Sequence, residues 1–266
     1  MWVRSILKQN ARMALSNSYW MAVGVVLTAT VVSELISLLF NGRYQVFLQE
    51  TLEWNNSIMM GEPYPMPDMS WIAPFGLLSI AVTIFIYYPL SIGAARFFVR
   101  NRFGNTQYTN VFSGFKNGYL SGSLTLLVTD IFIGLWSLLF IIPGIVKSLQ
   151  YSMMAFILSD NPRVGNSRAR EISRILTNGE KGAIFVLGLS FIGWYLLLGF
   201  ISSICAMFSP VLSMAAAFAG GLFLSPYIRA TYAELYVFLR DRAIQMGQIH
   251  PAELCLTPAP PQNYAE

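Results

Sequence analysis

Charge is scarce in this sequence. Only 11% of its 266 residues are Asp, Glu, Lys or Arg, whereas a soluble domain carries about 25%. Hydrophobic residues make up 55%. An ordinary soluble enzyme is thereby excluded, because apolar runs of about 18 residues or more take the bilayer, not a globular core, as their solvent. Histidine is scarcer still: His250 is the only one, and it lies outside every apolar run. A Ser-His dyad or a Glu-His metal site inside a membrane is therefore ruled out. An aspartyl protease would need two carboxylates in contact, and the apolar runs supply one Asp and one Glu at different depths. The two cysteines, Cys205 in an apolar run and Cys255 in a polar segment, offer no disulfide framework. No phosphate-cradling glycine loop occurs either. Gly114, Gly118 and Gly122 step by four, as small packing residues on a helix do, and Gly220 and Gly221 read the same way.

Long apolar runs are what the sequence has in plenty: 19–40, 72–98, 120–142, 183–208 and 211–236, with a shorter one at 143–158. The first is too long for a signal peptide and has no small-residue cleavage site, so it reads as a retained span. At 1.5 Å per residue the short run reaches about 25 Å, tolerable in a hydrocarbon core of about 30 Å with local thinning. Charge decides whether it crosses. Fifteen of the 17 cations fall before the first span or in 96–116, 163–181 and 229–242. If the short run crosses, all four groups share one side, which the positive-inside rule makes the cytoplasm. The segment 41–71 holds Glu50, Glu53, Glu62 and Asp68 against a lone Arg43 and fits an outside loop. The expectation is an all-α membrane protein of the bacterial plasma membrane. One polytopic domain covers 1–242, with six spans in three hairpins and both termini cytoplasmic. A flexible tail follows at 243–266, without apolar period and ending in a Pro-rich stretch.

Local patterns refine this picture. The hairpins begin alike, at 15–19, 115–119 and 176–180, each with an Asn or Gly that tolerates left-handed φ. Basic amphipathic stretches precede the first and third. Val3, Ile6, Leu7 and Ala14 share one face, as do Val164, Ile172, Ile175 and Leu176, opposite Arg and Lys; both read as interfacial helices on the cytoplasmic side. A parallel internal repeat would explain the likeness, which covers five residues per copy. Pro143 fits the first turn of a new helix and biases Ile142 away from α geometry, so 142–144 predicts a tight hairpin near the outer surface. In the outside loop Tyr44, Phe47, Leu48 and Leu52 recur at helical spacing, and Pro63, Pro65 and Pro67 force an extended piece. Connector and capping lid are both open for that loop. Tyr19, Trp20, Trp71 and Tyr236 fall at predicted span ends, as an aromatic belt would place them.

These residues carry a family likeness. Phe115 to Tyr119, Asp130 to Trp136, Ile141 to Ser148, Tyr151-Ser152-Met153, Asp160-Asn161-Pro162, Asn178 to Lys181, Leu189 to Tyr195 and Pro226 to Tyr236 resemble the domain-of-unknown-function 975 family of bacterial integral membrane proteins. With Arg4 to Trp20 included, the likeness covers nearly the whole chain apart from the outside loop and the tail. A looser resemblance, through the Pro-Gly hairpin and the following Asp-x-Pro, extends to the membrane domain of bacterial glycerophosphodiester phosphodiesterases; no hydrolase domain is fused here. The first resemblance implies a multi-span plasma-membrane protein, typical of Gram-positive bacteria, whose function is unassigned. It transfers no catalytic residues and no cofactor.

Ionisable residues inside spans are functional candidates, since burying a charge in hydrocarbon costs about 2.5 kcal/mol or more. Glu34 and Lys147 each fall about 6 to 9 Å below the outer end of their spans and are expected within reach of each other, as an ion pair or separately hydrated. Asp130 lies about 18 Å from the outer surface, near the midplane, with Tyr87, Tyr88, Tyr151 and Tyr195 as candidate partners. A proton-coupled transporter would use such a carboxylate, and helix packing would use it equally well. Arg163, Arg168, Arg170, Arg174 and Lys181 could grip anionic lipid headgroups at about 1 kcal/mol each, or serve topology alone. Arg229 and Glu234 are expected to snorkel near the inner end of the last span. Nucleic acid is a poor fit, because these cations are tied to the membrane plane. The expected function is a non-enzymatic accessory or regulatory envelope protein with unidentified membrane or envelope partners; the alternative is a small secondary transporter using Asp130.

Overall fold

A computed structural model describes residues 2–116 and 118–256, apart from the side chains at 33 and 35–41. Asn117, and the part of the expected tail at 257–266, lie outside the described residues. Every regular element among the described residues is helical. Helix α1 is Arg4–Leu15 and α2 is Tyr19–Met60. Helices α3 (Ile72–Val82) and α4 (Tyr88–Asn101) are joined by a π-helical turn, Thr83–Tyr87, and a 3-10 segment follows at Tyr108–Phe115. Then come α5 (Tyr119–Leu139), α6 (Ile141–Gln150), α7 (Met154–Asp160) and α8 (Asn166–Thr177). The chain continues with α9 (Lys181–Leu189), α10 (Ile192–Ala206) and α11 (Pro210–Gln245), and closes on a 3-10 turn at Pro251–Leu254. Among the described residues five segments are long and apolar enough to cross a membrane: Ile72–Asn101, Tyr119–Leu139, Ile141–Asp160, Lys181–Ala206 and Pro210–Gln245. A sixth is counted when α1 and the first turns of α2, bent by 98° to each other, are taken together.

Local chemistry explains the breaks. Pro89 has no N–H to offer the carbonyl of residue 85, so the ladder widens into the π turn just before it instead of ending the helix. The α5–α6 break falls at Phe140, with φ −155° and ψ 139°, and not at Ile142 as the proline rule suggested. Pro143 is instead the third residue of α6, where its missing N–H is one of the unsatisfied donors of any helix start. Gly144 then lies so close to α5 that a Cβ would sit 2.3 Å from Ser137 Oγ. Helix α2 does not stop at residue 40. Its 42 residues run on through the segment read as loop, to a left-handed cap at Gly61, so the helix is about 63 Å long and twice the hydrocarbon thickness. The stretch that follows, 62–69, has no regular secondary structure. Arg43 pairs with Asp68 at 3.2 Å, and Tyr64 donates to Glu53, clasping it back against α2.

Packing also corrects the expected glycine stripe. Gly114 belongs to the 3-10 segment, where an added Cβ would sit 1.9 Å from the Pro89 carbonyl, and its counterpart Gly93 comes as close to Val111. Gly118, at φ 83°, caps α5, and of the three expected glycines Gly122 alone lies within that helix. Gly220 is pressed against Leu198, whereas Gly221 has open space around it. Left-handed glycines stand at the second and third hairpin starts, Gly118 and Gly179, but not at the first.

The best-packed part of the molecule is one end. Leu7, Ala11 and Leu15 of α1, Phe97 and Phe98 of α4, Ile157 and Leu158 of α7, Ile172 and Leu176 of α8 and Leu235 to Val237 of α11 meet in one core. The face of α8 is the one expected. That of α1 is rotated: Val3 and Ile6 are 51% and 53% exposed, and Trp2, Leu7, Ala11 and Leu15 make the contact. Residues 243–256 join this core too, through Ala243, Ile249 and Leu254, so that the first half of the expected flexible tail is docked.

Candidate functional site

Charged residues from five helices converge on the packed end. Asp160, the last residue of α7, accepts from Tyr236 Oη at 2.7 Å and from Arg240 Nη1 at 3.1 Å, both on α11. Tyr236 is therefore a buried partner of a carboxylate and not part of an aromatic belt. Arg96 of α4 donates to the neighbouring Ser159 carbonyl at 2.6 Å. Glu180 accepts from Arg242 at 2.6 Å and from the Trp2 indole at 2.9 Å, joining the ends of α9, α11 and the N-terminal segment. Glu234, expected to snorkel, is only 3% exposed and pairs with Arg102 at 2.9 Å. Beside them, Arg168 lies 2.6 Å from Glu253 and 2.8 Å from Glu171. The Arg168 guanidinium holds the Glu253 carboxyl below its ordinary range, assisted by the His250 N–H, and the two carboxylates in turn raise Arg168.

Sequence reasoning missed most of these pairs, since their partners lie tens of residues apart. The signal was present: the cation-rich segments also contain Glu171, Glu180, Glu234 and Asp241, with Asp160 and Glu253 close by in sequence. Counting cations alone, as topology requires, passes over them.

The expected intramembrane residues are placed differently from one another. Asp130 is exposed and accepts from Tyr88 Oη at 2.7 Å, one of its four candidate partners, directly after the π turn. Glu34 is exposed on α2. It does not meet Lys147. The Lys147 ammonium stands 5.2 Å from the Trp136 ring centroid, on the side of α6 that faces α8. Of the five basic residues of 163–181, Arg168 is committed to Glu253 and Glu171. Among the described residues, Arg163, Arg170, Arg174 and Lys181 form no ion pair.

Four of the cavities among the described residues have linings that bear on function. A groove of about 430 Å³ runs between Arg12, Tyr19, Trp194 and Tyr227, and an apolar one of about 660 Å³ between α2, α4 and the 3-10 segment. A polar one of about 550 Å³ lies at the α1–α2 elbow beside Arg102 and Glu234. The fourth, of about 430 Å³, is walled by α5, α6 and α8 and contains Lys147, Arg170 and Arg174. Asp130 lines none of the four.

Fold and charges together define a class: an all-helical protein with five or six candidate membrane spans and a tied-together charged end. Within the chain, residues 138–243, from the tip of the α5–α6 hairpin almost to the end of α11, match the family described as protein of unknown function (DUF975). The resemblance seen over most of the sequence is thus matched across α6 to α11, and residues before 138 lie outside the match. No curated protein and no solved structure matches the chain.

Proposed function

We propose that this is a non-enzymatic, multi-pass plasma-membrane protein of accessory or regulatory kind. It crosses six times in three hairpins, with both termini, α1 and α8 on the cytoplasmic side. One observation carries this reading: Asp160, Glu180 and Glu234, the well-buried carboxylates of the charged end, are each held by an arginine from another element. Groups so committed hold helices together; a turnover site would need at least one of them free to exchange protons or metal. The long α2 and its clasped loop supply a surface on one side, and α1 and α8 a basic surface on the other for an anionic leaflet or a partner.

Two measurements test this. Cysteines placed at Ser167 on α8 and at Met59 near the end of α2 should label from opposite sides of sealed vesicles; labelling from one side overturns the topology. Asp130→Asn should leave proton flux across proteoliposomes unchanged, as for a carboxyl that serves helix packing through its Tyr88 hydrogen bond. Proton-coupled flux that wild type supports and Asp130→Asn abolishes favours the transporter instead.

A further inference from the structure

We propose that the cleft between α6 and α8 is a binding site for one phosphate-type headgroup of an anionic lipid, held by Lys147, Arg170 and Arg174. The proposal rests on the membrane reading given above, whichever side α8 occupies, and adds a defined site and ligand class to it.

Three cations from two helices face one cavity of about 430 Å³. The only carboxylate on its wall, Glu171, is already bridged to Arg168 at 2.8 Å. Like charges gathered in this way repel one another, and they stay together only because the scaffold is fixed. It is fixed on both sides. Ser173 and Thr177 of α8 donate to the Gln150 carbonyl at 2.8 and 3.2 Å, and Ile172 and Leu176 beside them are fully buried. On the other wall α6 is pressed onto α5 at Gly144. Aromatic faces hold two of the cations in place: Arg170 stands 4.7 Å from the Phe132 ring centroid and Lys147 5.2 Å from that of Trp136. A phosphate group placed between them meets a guanidinium able to bind two oxygens, a second guanidinium and an ammonium, with the Tyr151 side chain on the cavity wall.

The surroundings select a lipid over a free anion. The hairpin that carries Lys147 rises to a tip whose Phe140, Ile141 and Ile142 are 70%, 77% and 75% exposed. An acyl chain can lie along that apolar surface while its headgroup occupies the cleft, which a soluble phosphate cannot exploit. The segment that forms the cleft's α6 and α8 walls also falls wholly within the family match.

The test uses the full chain in nanodiscs of phosphatidylcholine doped with phosphatidylglycerol, followed by mild detergent transfer and native mass spectrometry. Wild type should retain one phosphatidylglycerol per chain. The triple variant Lys147→Gln, Arg170→Gln, Arg174→Gln should bind it on the order of a hundredfold more weakly, from about fivefold per cation at a membrane surface. Arg163→Gln with Lys181→Gln, which removes two cations outside the cleft, should retain the lipid. Equal loss in both variants overturns the site in favour of a diffuse basic surface. Displacement by millimolar inorganic phosphate, or no preference for phosphatidylglycerol over phosphatidylcholine, overturns the lipid assignment. Arg170→Lys with Arg174→Lys keeps the charge and should restore most of the binding, which shows that a loss in the Gln variant is not misfolding. Retained lipid with Ser167→Cys labelled from the outside would leave the site standing and overturn the topology alone.

Discussion

The two ends of this molecule are built on different principles. At the charged end α4, α7, α8 and α11 bury large side chains completely, α1 packs on them, and ion pairs tie α11 to the ends of α4 and α7 and to Glu180 just before α9. At the other end the hairpin tip at Leu138 to Ile142, all of α10 and the first turns of α11 have almost no buried residue. Both ends contain apolar helix faces, but α1 and α8 at the first are interspersed with charge, whereas α10 at the second carries none. What differs is the solvent each is made for. Side chains at the packed end are satisfied by protein. Those at the bare end are left to lipid, which asks of a helix only that its backbone be hydrogen-bonded. Specific residues should therefore matter at one end and be interchangeable at the other.

The largest expected effect is on the Asp160–Arg240 pair. Arg240→Met leaves Asp160 buried with only Tyr236 as partner and should cost about 3 to 5 kcal/mol of stability. Denaturant unfolding of the purified protein measures it. Adding Asp160→Asn to the same chain should recover most of the loss, because the unpaired charge is then removed. If Arg240→Met is as stable as wild type, the packed end is not held by its charges.

How much of this was legible in the sequence follows the same division. Four of the apolar runs coincide with candidate spans to within a few residues, because lipid exposure demands long uninterrupted hydrophobicity; the last candidate span continues to Gln245, and the first run counts as one only together with α1. Pro143 and Gly144 announced the hairpin, though the break at Phe140 depends on how α6 seats against Ser137, a contact no local rule contains. The continuation of α2 through residues 41–60 was foreshadowed by Tyr44, Phe47, Leu48 and Leu52; the acidic residues around them marked it as outside but not as non-helical. The packed end was far less legible. Its pairs join residues remote in sequence, and Lys147, placed by counting residues from the hairpin, turned out to face Arg170 and Arg174 because α8 tucks in beside α6. Depth along one helix is a local quantity, and the position of a second helix against it is not.

Glycine substitutions sharpen the comparison. Gly93→Ala would put a Cβ 1.7 Å from the Val111 carbonyl, where α4 and the 3-10 segment touch backbone to backbone. It should destabilise by about 1 to 3 kcal/mol, with the strain taken up by displacing the 3-10 segment. Gly134→Ala, on α5 towards the bare end, meets nothing within 4 Å. That change should be neutral or stabilise by up to about 1 kcal/mol, through helix propensity alone. The unfolding difference between the two variants is the measurement, and equal effects would erase the distinction between the ends.

The smallest effect concerns the edge of the packed end, where Pro251–Leu254 docks through Glu253. Arg168 lowers the Glu253 carboxyl below the ordinary glutamate value, about 4.3. The docked segment therefore holds fewer protons than the released one as pH falls through this region. Its stabilisation is fully present above the ordinary value and is lost as pH drops through the lowered one. Both partners are partly exposed, so the contribution is about 0.2 to 1 kcal/mol. An environment-sensitive probe on Cys255, in a Cys205→Ser chain, should report no change from pH 8 to 5 and release of the segment below about pH 4. Arg168→Gln should make the probe partly mobile at pH 7 and flatten the acid transition. If the transition in Arg168→Gln is the same as in wild type, the Arg168–Glu253 pair does not control the docking.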